Sequence, residues 1–64
     1  MDDPLVTMRH VRAAGQCRRG AKAFAERHGL DWDEFRVNGL PASVVEATGD
    51  ALAIKVAEVA REQQ

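Results

Sequence analysis

The run His28-Gly29-Leu30-Asp31-Trp32-Asp33-Glu34-Phe35 constrains this chain more than any other stretch, because it stops one helix and starts another within three residues. Glycine reaches the left-handed conformation that closes a helix, so Gly29 reads as a terminator. Asp31 then reads as an N-cap, its carboxylate accepting from free N–H groups of the first turn. Glu34, three residues on, offers the return half of a capping box. Leu30 before the cap and Phe35 at the fourth helical position have the spacing of a hydrophobic staple. Such a corner predicts two helices meeting at an angle, either as a DNA-reading motif or as the joint of a small bundle.

At 64 residues the chain reads as one small domain near the lower limit for independent folding. Alanine supplies much of its 45% hydrophobic content, and the aromatics are only Trp32, Phe24 and Phe35. So small a core usually draws on disulfides, metal or a partner. A disulfide within the chain is excluded, since Cys17 is the sole cysteine, and a reduced intracellular setting fits. The acidic start Met1-Asp2-Asp3-Pro4 does not read as a signal peptide, and no apolar run has membrane-spanning length. The expectation is a soluble cytosolic chain, or one packaged inside a larger assembly, with no membrane contact.

Charge is unevenly spread. Residues 1–28 carry six basic side chains (Arg9, Arg12, Arg18, Arg19, Lys22, Arg27) against three acidic ones (Asp2, Asp3, Glu26). Residues 29–64 carry three basic (Arg36, Lys55, Arg61) against seven acidic (Asp31, Asp33, Glu34, Glu46, Asp50, Glu58, Glu62). The halves are placed to attract one another, across the fold or across a contact with a neighbouring chain; the simpler reading is solvated helix faces.

Hydrophobic spacing predicts an all-α fold, a bundle of four to five short helices with a helix-turn-helix-like corner at 17–37. A flexible tail over residues 1–6 precedes a helix at 8–14, capped by Thr7 and turning Met8 and Val11 inward. At Gly15-Gln16 the pattern either stops, leaving a second helix at 17–28, or runs on as one kinked helix from 8 to 28; the two-helix reading is preferred, and the apolar face of the second piece holds Cys17, Ala21, Phe24, Ala25 and His28. Gly20 lies beside that face, a position that suits close approach of another helix. After the corner come helices at 32–37 and 42–47, the latter with Pro41 at its start and Ser43 with Glu46 as a candidate capping box. Thr48-Gly49-Asp50 leads into the last helix, 51–62, with Leu52, Val56, Val59 and Ala60 on one face. Ile54 falls away from that stripe. It reads as part of a wider buried face, as a lone exposed aliphatic, or as a partner contact.

The segment from Phe24 to Phe35 looks like a repressor-type helix-turn-helix, with Ala25, Gly29, Leu30 and Phe35 at the small, glycine and apolar positions of that motif. Arg18, Arg19, Lys22 and Arg36 would be its nucleic-acid contacts. Chemistry disfavours this. Asp31, Asp33 and Glu34 crowd the end of the helix that would enter the groove, where the DNA backbone repels them. The pI is near 6.0, whereas DNA-binding domains are usually basic.

No CxxC or HxxxH pair offers a metal site, and the spacing of His10, Cys17 and His28 separates them by two and three helical turns. Cys17 reads as a small buried hydrophobe and His28 as a helix-end residue. Nothing resembles a phosphate loop or a catalytic pair, so neither enzyme activity nor a cofactor is expected. Trp32, in the first turn of the third helix, either packs over the corner or anchors an interface.

Thr7-Met8-Arg9-His10-Val11-Arg12-Ala13-Ala14, Cys17-Arg18-Arg19-Gly20, His28-Gly29-Leu30-Asp31-Trp32, Asn38-Gly39-Leu40 and Thr48-Gly49-Asp50-Ala51 together resemble small uncharacterised proteins of tailed bacteriophages and prophages of proteobacteria. The resemblance spans nearly the whole chain and brings no catalytic residues with it. It implies a phage gene product: an adaptor or assembly factor docking on a larger protein, or a regulator binding a host protein or DNA. The reading is therefore a non-catalytic module with a phage or host protein as partner, a homo-oligomer being compatible with it. Trp32, Ile54 and Val37 would supply the apolar contact, with Arg18, Arg19 and Lys22 as a basic rim.

Overall fold

The computed structural model describes residues 3–64. Its elements, in chain order, are β1 (Leu5–Val6), α1 (Met8–Ala13), α2 (Arg18–Arg27), α3 (Trp32–Asn38), β2 (Leu40–Pro41), α4 (Ala42–Glu46) and α5 (Ala51–Glu62). Five helices dominate, but the fold is not purely all-α. β1 and β2 pair antiparallel, Leu5 opposite Pro41 and Val6 opposite Leu40. Residues 3–6, expected within a flexible tail, are thereby built into the fold, and Val6 is fully buried. The remainder of that expected tail, Met1 and Asp2, lies outside the described residues. A two-residue ladder has no periodicity for a sequence reading to detect.

The corner forms as its residues dictate. Gly29 takes φ 68°, and a paired set of bonds closes α2: Gly29 N–H donates to the Glu26 carbonyl at 3.3 Å and Leu30 N–H to the Ala25 carbonyl at 2.8 Å. Asp31 caps α3 by accepting from Glu34 N–H at 3.0 Å. The return half of that capping box is diverted, since the Glu34 carboxylate accepts from the Asn38 amide at 3.2 Å. The Gly15 break also holds, with α1 and α2 as separate helices.

Three expectations are corrected. Cys17 is exposed rather than buried, because it stands at the N-cap of α2, where its Sγ accepts from Gly20 N–H at 3.4 Å. Ser43 and Glu46 do not form a capping box. Asp3 supplies the cap from outside the helix, one carboxylate oxygen accepting from Ser43 N–H and the other from Ser43 O–H, both at 2.7 Å. Glu46 instead takes Arg61 of α5, whose Nε and Nη2 both donate to its carboxylate at 2.9 Å.

The third correction concerns α5. The side it turns inward is Ala53, Val56, Ala57 and Ala60, while Leu52 is 55% exposed. Alanines allow α4 and α1, the helices packed on α5, to approach closely. The core they close holds Val6, Val11, Phe24, Ala25, Phe35, Ala42 and Val45, with Leu30, Leu40 and Trp32 packed against its edge.

Candidate functional site

The corner places α2 and α3 so that Arg18, Arg19 and Lys22 of the first line a shallow surface depression with Trp32 of the second. The indole is half-buried, its edge meeting the Phe35 ring at a centroid separation of 6.0 Å and 86°. Packing over the corner and exposure for contact are thus combined in one side chain: one side of the indole rests on the core edge, and another faces the cations. The basic side chains are exposed, and among the described residues no ion pair engages Arg18, Arg19 or Lys22. Other arginines are neutralised locally. Arg27 meets Asp50 at 2.9 Å, and Arg36 meets Asp33 at 3.3 Å within its own helix.

Val37 and Ile54 are not part of this depression. Val37 is 65% exposed near the end of α3, and Ile54 is 36% exposed on the flank of α5 that it shares with Arg61, one heptad on. Arg36, held to Asp33, stands apart from Arg18, Arg19 and Lys22 as well.

A second concavity was not anticipated from the sequence. α2 packs on α1 and α3, α5 packs on α1 and α4, and no comparable packing joins α2 to α5. The gap is an apolar groove of about 250 Å³ reaching down to Phe24, Phe35, Val45 and Val56. Leu52, Gln16 and the Arg27–Asp50 pair stand among its lining residues, and Gly20 and Ala23 form part of the α2 wall. Gly20 was the available signal. Its place beside an apolar face suggested close helix approach, whereas only Cys17 Sγ lies near its vacant Cβ position, at 3.6 Å.

The titratable groups have structural surroundings. His10 is 6% exposed, and its Nδ1 accepts from Thr7 N–H at 3.0 Å and lies 3.2 Å from the Thr7 hydroxyl. Burial, then the charge of Arg9, lowers its pKa below the ordinary 6.5. His28, at the C-cap of α2, meets the Phe24 ring at a centroid separation of 5.0 Å with the planes tilted by 52°. Its buried Nε2 has no hydrogen-bond partner among the described residues, Asp50 Oδ2 lying beyond bonding range at 3.9 Å. Asp50 is held below the usual carboxylate range by the N–H groups of Ala53 and Leu52 and by Arg27. Among the described residues no group of three or more His, Cys, Asp and Glu side chains could hold a metal ion. No described helix is long and apolar enough to cross a membrane.

No family model, curated protein or solved structure matches this chain.

Proposed function

We propose that this chain is a small non-catalytic protein-binding module whose contact surface is the Trp32 depression and whose partner presents an acidic face. The observation that supports the reading is the company Trp32 keeps: a half-buried indole beside three cations that no carboxylate neutralises among the described residues. Tryptophan and arginine are the residues most often found to dominate binding energy. A rim of one charge sign selects a complementary surface and speeds encounter with it. In the fuller form of the proposal the chain is a phage or prophage adaptor or assembly factor docking on a larger protein, which rests on the sequence segments quoted above.

The test is crosslinking mass spectrometry with the tagged chain in an infected or lysogenic host. Crosslinks from the Lys22 amine to one acidic protein are expected, lost in Trp32→Ala and in the Arg18→Glu/Arg19→Glu double variant with helix content unchanged. Capture that survives both variants would place the contact elsewhere. Retention of duplex DNA at low salt, abolished by the same charge reversal, would favour the regulator alternative.

A further inference from the structure

Among the described residues, His28 Nε2 is the only buried side-chain nitrogen or oxygen without a hydrogen-bond partner. Buried polar atoms are nearly always paired, so this one calls for a reason. His28 closes α2 at the corner, and Asp50 caps α5 across the gap. The nitrogen lies 3.9 Å from Asp50 Oδ2, the same oxygen that accepts from Arg27 Nη2 at 2.9 Å. The other oxygen of that carboxylate accepts from Leu52 and Ala53 N–H at 2.9 and 3.3 Å. Two consecutive residues at the end of α2 thus face one acceptor, and only Arg27 holds it.

We propose that Asp50 Oδ2 changes partner with the charge on His28: Arg27 holds it while the imidazole is neutral, and the imidazolium takes it over. A neutral imidazole carries one N–H, whereas the imidazolium carries two, so charging the ring always puts a donor on Nε2. A buried charged donor without an acceptor is costly, and closing the 3.9 Å gap by about 1 Å makes a charge-assisted bond. Asp50 stays ionised meanwhile, because the N–H groups of Ala53 and Leu52, with Arg27, hold it below the usual carboxylate range. Arg27 is the partner that yields. Its side chain is 61% exposed, so water replaces the carboxylate at little cost, while no water reaches the buried Nε2. No other acid competes: Asp31 is turned to Glu34 N–H, Asp33 holds Arg36, and Glu26 makes no ion pair among the described residues.

The exchange is a proton-operated clasp. Among the described residues, the Asp50 carboxylate makes the only side-chain hydrogen bond or ion pair between α2 and the start of α5. In mild acid that tie passes from a long exposed side chain to a short buried one. Arg27 and Asp50 stand among the lining residues of the α2–α5 groove, so the exchange also takes a guanidinium from its wall. Helix α2 then carries four cations free of carboxylates, Arg18, Arg19, Lys22 and Arg27, in place of three. None of Arg27, His28 and Asp50 lines the Trp32 depression, so the clasp is independent of the contact proposed there.

A nitrogen-15 NMR titration of the full chain from about pH 8 to pH 5, the range in which imidazoles change charge, tests it. The His28 ring nitrogens report its protonation, and the Arg27 guanidinium reports its pairing through slowed rotation and solvent exchange. The expected result is loss of the paired Arg27 signal at the same midpoint at which His28 takes up its proton. In His28→Gln, which keeps an amide donor but cannot be charged, Arg27 should stay paired across the whole range. An Arg27 that stays paired while His28 is charged overturns the proposal. So does a loss at a different midpoint, or one that persists in His28→Gln, since the response would then belong to His10 or to a carboxylate.

Discussion

Gly39 and Gly20 are the same residue type with opposite requirements. Gly39 follows α3 at φ 87°, and an added Cβ would lie 2.8 Å from the Val6 carbonyl oxygen and 3.1 Å from Thr7 Cγ2. Backbone conformation and the seating of β1 both depend on its missing side chain. Gly39→Ala should destabilise by about 2–4 kcal/mol, combining left-handed strain with overpacking. Gly20 has ordinary helical geometry, and an added Cβ would meet only Cys17 Sγ at an unstrained 3.6 Å, so Gly20→Ala should stabilise by about 0.5–1 kcal/mol through helix propensity. Urea denaturation of the two variants checks both signs, and a loss of stability in Gly20→Ala would refute the open-groove description. The sequence drew attention to Gly20 inside a helix, and to Gly39 only as the point where the third helix ends, not as a close approach. Periodicity exposes a glycine inside a helix, whereas a close backbone approach between residues far apart in the chain leaves no local trace.

At the scale of elements, the helices were legible wherever their signals are local. Helix α5 begins and ends as its pattern predicts, with Asp50 accepting from Leu52 and Ala53 N–H. The Gly29–Asp31 corner was legible for the same reason. What escaped was assembled from distant parts. Helix α4 was itself foreseen at 42–47, but its anchors were not: at five residues it is too short to persist alone, and it is held at one end by Asp3, 40 positions away, and at the other by Arg61 of α5. The Trp32 depression lay between these cases: each of its residues was singled out, but their meeting depends on the angle of the corner, whereas Ile54 and Val37 were grouped with them only by hydrophobicity. Removing the distant cap isolates its contribution. Asp3→Ala should lower the melting temperature and speed amide exchange at Ala42 and Ser43 first, because Ala42 N–H is tied to the Pro4 carbonyl beside that cap. Unchanged exchange there would mean that α4 owes its order to packing alone.

For the whole molecule, the resolved shifts act in one direction under acid. His10 is pushed below 6.5 by burial and then by Arg9, while Asp3, Glu46 and Asp50 lie below their ordinary values chiefly through bonds to Ser43, Arg61 and Ala53 respectively. For each group the unfolded chain takes up its proton at a higher pH than the folded one. Between the two pKa values the unfolded state therefore binds more protons, and stability rises with pH. The His10 contribution is complete above 6.5 and declines as pH falls through that value toward its lowered folded pKa. The carboxylate contributions decline only further down, below about 4.5 for Glu46 and 3.8 for the two aspartates. The upper stage has a geometric basis, since a protonated Nδ1 can no longer accept from Thr7 N–H, and Thr7 joins β1 to α1. His10→Gln keeps an acceptor at the position where capping boxes favour glutamine and removes the titration. The difference in urea midpoint between pH 7 and pH 5 should be smaller in that variant than in the parent chain. An equal difference would mean that His10 titrates alike in the folded and unfolded chains, and that its burial is unconnected with acid stability.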